Sequence, residues 1–195
     1  GKGTFIAGSI WPTDEKYVLP AVIELLIKYK SLNIILVPHE TEEHYLAGIE
    51  TVLNSENISS KRYSSIVSIG ENNTRVAIID SVGLLVKLYS QSDIAYVGGS
   101  FGPGVHNVME PGILGKPVLF GPRHTNSFEA GELIKCGGGF AVNNSQEITD
   151  IVDDFLKNPE KRESAGKNAS KLIRQNLGAT EKVSEILREK YDFIS

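Results

Sequence analysis

The run "IAYVGGSFGPGVHNVMEPGILGKPVLFGP", Ile94 to Pro122, decides the fold. It opens on a short apolar stretch suited to a buried strand and passes through a glycine-rich loop into a brief helical register. It then re-enters an apolar strand at Pro117–Phe120. Between Gly98 and Pro122, seven glycines and four prolines surround one His, one Asn and one Glu. Strand, loop, helix and strand in that order make a βαβ crossover, which joins parallel strands.

The same alternation extends in both directions. Further strands are predicted at Thr4–Ala7, Asn33–Val37, Arg75–Ile79 and Phe140–Val142. Between the first two, "DEKYVLPAVIELLIKYK" sets Val18, Val22, Leu25, Leu26 and Tyr29 at helical spacing. Pro20 fits that helix only in its first turn, where a missing N–H is harmless. A second helix is predicted over Glu42–Leu53, capped by Thr41, and a third over Gly83–Ser90. After Val142, a stripe of Ile148, Ile151, Val152, Phe155 and Leu156 ends at Pro159. Two polar helices are expected beyond it, the last with Val183, Ile186 and Leu187 on one side. The expected class is therefore α/β, a Rossmann-like parallel sheet flanked by helices. It forms a single domain over residues 1–195, with 145–195 as its helical C-terminal segment.

Composition narrows the function. Of 195 residues, 41% are hydrophobic and 23% charged, enough to bury a core. A formal charge of -4 argues against a nucleic-acid partner, because phosphate backbones are held by a surplus of Lys and Arg. The single cysteine, Cys136, cannot make an internal disulfide and reads as a small buried hydrophobe. No apolar run approaches the roughly 20 residues needed to cross a bilayer, so this piece is expected to be soluble. The opening "GKGTFIAGS" enters a strand almost at once, as a cut between domains would.

In an open parallel sheet the ligand lies beyond the carboxyl ends of the strands. The residues following four of the predicted strands are small or polar: Gly8 and Ser9; Pro38, His39 and Glu40; Asp80 and Ser81, with Gly83; and Gly98 through His106. Gly99, Gly102 and Gly104, with Ser100 among them, would let backbone N–H groups approach an anion at the start of the helix that follows. The spacing is not that of a dinucleotide fingerprint, and no Lys-Ser/Thr follows to make a P-loop. Asn107 and Glu110, three apart, share one face of that helix, where Glu110 could accept from two vicinal hydroxyls. The other reading makes Asn107 a helix cap and Glu110 its capping acid. His106 could offer a leaving group a proton or a hydrogen bond, or could simply pack beside the loop. His44 and His124 have no Cys or carboxylate at ligand spacing, so no metal site is expected.

The run from Ile78 to Ile134 resembles the C-terminal donor domain of 3-deoxy-D-manno-octulosonic acid (Kdo) transferases, glycosyltransferases built from two Rossmann-like domains in the GT-B arrangement. "GSIWPTDE" is similar to the family's Gly-Ser opening with its acidic follow-on, and "HNVMEP" to its His-Asn-x-x-Glu. "GKPVLFGP", followed by Asn126 and Phe128, resembles the next strand and loop. The resemblance covers about Gly8 to Val142. It implies inverting transfer of Kdo from CMP-Kdo to a lipid A precursor in lipopolysaccharide biosynthesis, at the cytoplasmic face of a Gram-negative inner membrane, with no cofactor and no metal. It further implies that Gly8, Ser9, Pro38, His39, Asp80, Gly83, Gly99, Ser100, Gly102, Gly104, His106, Asn107 and Glu110 line the donor crevice. The acceptor, the catalytic base and the peripheral membrane contact are expected in an N-terminal domain outside this chain, so that no catalytic residue is expected here and the piece alone is expected to be inactive.

The chain departs from the family pattern at two residues. His39 stands where the family commonly has Arg, leaving Arg123 as a candidate for the missing positive charge. Leu84 stands where the family has an acid, so that position supplies no carboxylate here. Competing readings are the donor domain of a UDP-sugar glycosyltransferase, a sugar-nucleotide epimerase, and a non-catalytic nucleotide-binding domain.

Overall fold

The computed structural model describes residues 3–66 and 74–190, with side chains to residue 176. The Val183, Ile186 and Leu187 stripe falls outside the described side chains. The elements are β1 Thr4–Ile10, α1 Pro12–Lys28, β2 Asn33–Pro38, α2 Glu43–Ser55, β3 Ser60–Arg62 and a 3-10 turn at Tyr63–Ser65. Next come β4 Val76–Ile78, α3 Leu85–Ser90, β5 Ile94–Val97, α4 Met109–Ile113 and β6 Val118–Phe120. The chain continues through α5 Phe128–Lys135, β7 Gly139–Ala141, α6 Ser145–Lys157 and α7 Pro159–Lys190.

Seven parallel strands lie in the order β3-β4-β2-β1-β5-β6-β7, with Phe5 level with both Ile34 and Ile94. Successive side chains of β1 point to opposite faces, as the pleat requires. Phe5 and Ala7 join Val18, Val22 and Leu25 of α1, Leu46 and Ile49 of α2, and Val152 and Phe155 of α6. Ile6 faces the other way, among Leu88, Tyr89, Leu133, Ala169 and Ile173. Helices therefore cover both faces, and β1 is buried on each. Fully burying each large side chain contributes roughly 1.5–3 kcal/mol. The strand order reverses between β1 and β5. A crevice opens there, outside their carboxyl ends.

The expected alternation is present, with four differences. α1 begins at Pro12, so Pro20 lies in its interior rather than its first turn. It is tolerated because it sits on the exposed side, where water can hydrate the carbonyl its ring leaves unpaired. Thr41 caps nothing: α2 starts at Glu43, and the position before it makes no side-chain cap. The two helices expected beyond Pro159 are one, since nothing in that segment breaks the i to i−4 ladder. β3 and α5 were not anticipated; the first is three polar residues at a sheet edge, and the second opens on an exposed Phe128.

Candidate functional site at the switch point

The crevice begins where β1 meets β5. Gly98 donates its N–H to the Gly8 carbonyl at 2.8 Å, carrying the pairing past the formal end of the strand. A Cβ on Gly8 would stand 2.2 Å from the Tyr89 hydroxyl, so only glycine fits above α3. Ser9 adopts φ 51, an unusual backbone for serine, within a register shift of β1. Strain of this kind, held in place by its surroundings, concentrates at functional sites.

The Gly98–His106 loop is built around a carboxylate. Asp14, fully buried in the first turn of α1, accepts from the N–H of Gly99 at 2.7 Å and of Phe101 at 3.3 Å. It also accepts from the Tyr96 hydroxyl at 2.9 Å and, as the acid of a capping arrangement, from the Trp11 N–H at 2.9 Å. Four oriented donors replace the water that this side chain loses on burial. Burial and the neighbouring Asp14 together hold the Tyr96 phenol far above its usual range.

Apart from that of Ser100, the remaining loop amides also turn inward. Gly102 and Gly104 both donate to the Gly99 carbonyl, and His106 donates to that of Gly98. Val105 donates to the Arg123 carbonyl and to Asn126 Oδ1. Gly99 sits at φ +95, where a Cβ would come 2.3 Å from the Gly104 carbonyl oxygen. Ser100 is fully buried, with its Oγ accepting from the Gly121 N–H, and so it secures the end of β6 instead of facing outward. The expectation that these N–H groups stand open to an anion is therefore corrected. The glycines make a close-packed wall, and the groups presented outward lie at its rim.

At that rim, Asn107 accepts from the Met109 N–H at 3.0 Å and donates through Nδ2 to Glu110 Oε1 at 3.1 Å. The capping geometry and the shared face thus coexist, and among the described residues the second carboxylate oxygen of Glu110 meets no partner. His39 is exposed and stacks on Trp11, with ring centroids 4.2 Å apart and planes at 17°. Trp11 Nε1 donates to His106 Nε2 at 2.6 Å. Burial, then the charge of His39, hold the His106 imidazole below its ordinary value, with Asp14 opposing. Pro38 is buried at the end of β2, and His39 donates its N–H to the Ile10 carbonyl. Beside these rings is a cavity of about 280 Å³, walled by Trp11, Pro12, Pro38 and Tyr45 and edged by Glu15 and Glu40. Burial and Asp14 raise the Glu15 carboxyl.

Asp80 and Gly83 stand further out, past β2. Asp80 accepts from the Ser64 N–H at 3.0 Å and from its hydroxyl. Against a burial that would raise it, those bonds keep its carboxyl below the usual range. Arg123 donates to the Gly102 carbonyl at 3.0 Å and so helps to brace the glycine loop. Asp14 and Trp11 were not among the expected site residues. Their signal was nonetheless present: an acid three residues after Trp11, with Pro12 between them at the first helical position. Among the described residues no group of three or more His, Cys, Asp and Glu is arranged to hold a metal ion. No described helix is long and apolar enough to cross a membrane.

No protein-family model matches the chain. The 3-deoxy-D-manno-octulosonic acid transferase of Haemophilus influenzae is 31% identical over 188 residues, which take in 94% of this chain and 43% of that protein. The enzyme of the same name from Chlamydophila psittaci is 32% identical over 160 residues, 80% of this chain and 35% of that protein. The chain thus spans less than half the length of these relatives. Among solved structures, the C-terminal CMP-Kdo binding domain of WaaA from Acinetobacter baumannii superimposes with a TM-score of 0.80 at 27% identity, over 88% of this chain and 89% of that domain. By sequence over most of its length and by fold, this chain is a relative of the 3-deoxy-D-manno-octulosonic acid transferases and corresponds to their C-terminal domain.

Proposed function

We propose that the crevice between β1 and β5 binds a nucleotide-sugar donor, CMP-Kdo, as the donor half of a Kdo transferase. The observation that carries this reading is the meeting of the outward-facing groups of three loops at one switch point: Ser9, His39 with His106, and the Asn107–Glu110 pair. The solved domain of the same fold named for CMP-Kdo binding supports it. Glu110 would accept from the ribose hydroxyls through its open oxygen, with Asn107 holding the carboxylate in place. His39 and His106 flank the position open to the donor's phosphate, where they would stabilise charge building on the departing CMP. The Gly98–His106 wall would exclude water from one side of the donor.

Inverting transfer also needs a base for the acceptor hydroxyl. In the full-length enzyme that base, the lipid A precursor and the contact with the cytoplasmic face of the inner membrane would belong to the other domain. Calorimetric titration of this chain with CMP, UMP and UDP, in wild type and in Glu110→Ala, tests the reading. Preference for CMP that the substitution abolishes supports it. A UDP preference would instead make the crevice that of a UDP-sugar transferase or epimerase. Absence of binding to all three in both this chain and the full-length protein would leave a non-catalytic domain.

A further inference from the structure

The contact between Trp11 and His106 determines more than position. An indole N–H can only donate, so the His106 Nε2 it meets at 2.6 Å must carry a lone pair. The proton of the neutral ring then sits on Nδ1. The Cδ2 edge of the imidazole lies against Gly99, where a Cβ would come 2.8 Å from it. Nδ1 is on the opposite edge, away from the loop, and among the described residues no acceptor meets it.

Trp11 is held on both sides. Its backbone N–H is fixed by buried Asp14, and its ring is stacked on His39 and, at 5.7 Å between centroids, on His106. The titratable groups that face His106 are His39, from the end of β2, at 4.8 Å between centroids, and Asp14, from the first turn of α1. Asp14 accepts from Trp11, Tyr96, Gly99 and Phe101, and the His39 ring meets His106 at a tilt with no hydrogen bond between them, so among the described residues neither group takes the His106 ring proton.

We propose that Trp11 is a positioning residue which fixes His106 as the Nδ1–H tautomer, so that His106 meets the ligand of the crevice as a neutral hydrogen-bond donor and not as an acid or base. This rests on reading the crevice as the donor site, where an anionic oxygen of the nucleotide would accept that hydrogen bond. No proton changes hands. A preset neutral donor needs no reorganisation as charge develops on the leaving group.

Long-range proton–nitrogen correlation spectra of the ¹⁵N-labelled chain test the tautomer directly, with His106→Gln assigning the resonance. The native ring should show a protonated Nδ1 and a bare Nε2 at pH 8. Trp11→Phe keeps an aromatic ring on His39 and removes the donor. The Nε2–H form should then become populated, and the His106 titration should move up. CMP titration gives a second readout: in Trp11→Phe, affinity at pH 8 should fall roughly two- to tenfold, the worth of one hydrogen bond. It should recover at an acidic pH where the same spectra show the ring protonated on both nitrogens, since each then donates. A native ring protonated on Nε2, or a Trp11→Phe chain with native spectrum and native CMP binding at both pH values, would overturn the proposal. Failure of the native chain to bind CMP while its tautomer is as described would refute the donor-site reading and leave the Trp11–His106 couple standing.

Discussion

Two loops at the carboxyl edge of the sheet, Gly98–His106 after β5 and Asp80–Leu84 after β4, are both glycine-containing and both follow a buried strand. They are built in opposite ways. The first surrounds a buried carboxylate, and seven of its eight backbone N–H groups have partners within the protein. The second leaves Val82 86% exposed, and a Cβ on Gly83 would meet nothing within 4 Å. Glycine in the first loop makes room for packing; in the second it satisfies a turn. Glycine content alone therefore says little about how open a loop is.

The largest test of that contrast is Asp14→Ala. It would strand four donors, two of them fully buried, and the chain should lose about 3–4 kcal/mol, read as a fall in the urea midpoint at constant slope. Next comes Gly99→Ala against Gly83→Ala. Both glycines have positive φ, but only Gly99 would drive its Cβ into a carbonyl oxygen. The first should cost about 2–3 kcal/mol and the second about 1 kcal/mol, and equal losses would mean that the two loops pack alike. Gly8→Ala should cost about 1–3 kcal/mol through collision with the Tyr89 hydroxyl, a buried group that meets no partner among the described residues. Tyr89→Phe removes that hydroxyl at little cost, and the double variant should recover part of the loss, which a double-mutant cycle would measure.

The smallest effect belongs to the outer loop. The folded-state carboxyl of Asp80 lies below its unfolded value of 3.8, so its stabilisation is present above that pH and fades as the pH falls through the folded value. The stability difference between wild type and Ser64→Ala should therefore shrink on acidification below about pH 4. A difference that does not change between pH 6 and pH 3 would show that the Ser64 hydroxyl leaves Asp80 unperturbed.

Much of the fold was legible because its signals are local. The Ile94–Val97 and Pro117–Phe120 runs, the helical stripe of Val18, Val22 and Leu25, and the stop at Pro159 each follow from side-chain periodicity over a few residues. Pro20 misled because the exposure that makes it harmless is set by the neighbours of α1. β3 escaped notice because Ser60, Lys61 and Arg62 have no apolar signature and are placed by pairing with β4. In the site, the sequence pointed to the rim residues His39, His106, Asn107 and Glu110. It also pointed to an open cradle of amides, and those amides are engaged: Gly99 and Phe101 by Asp14, far away in the chain, and Gly102 and Gly104 by the Gly99 carbonyl that this anchoring sets in place.

The sequence by itself determined a parallel α/β sheet and the edge of it that carries small and polar groups, because strand and helix periods and the residues that follow strands are fixed by near neighbours. Only the tertiary structure decided what those groups do. Asp14 reaches Gly99 across 85 residues and Trp11 reaches His106 across 95, so the inward turn of the glycine loop and the tautomer of its histidine exist only once β1 and β5 lie side by side.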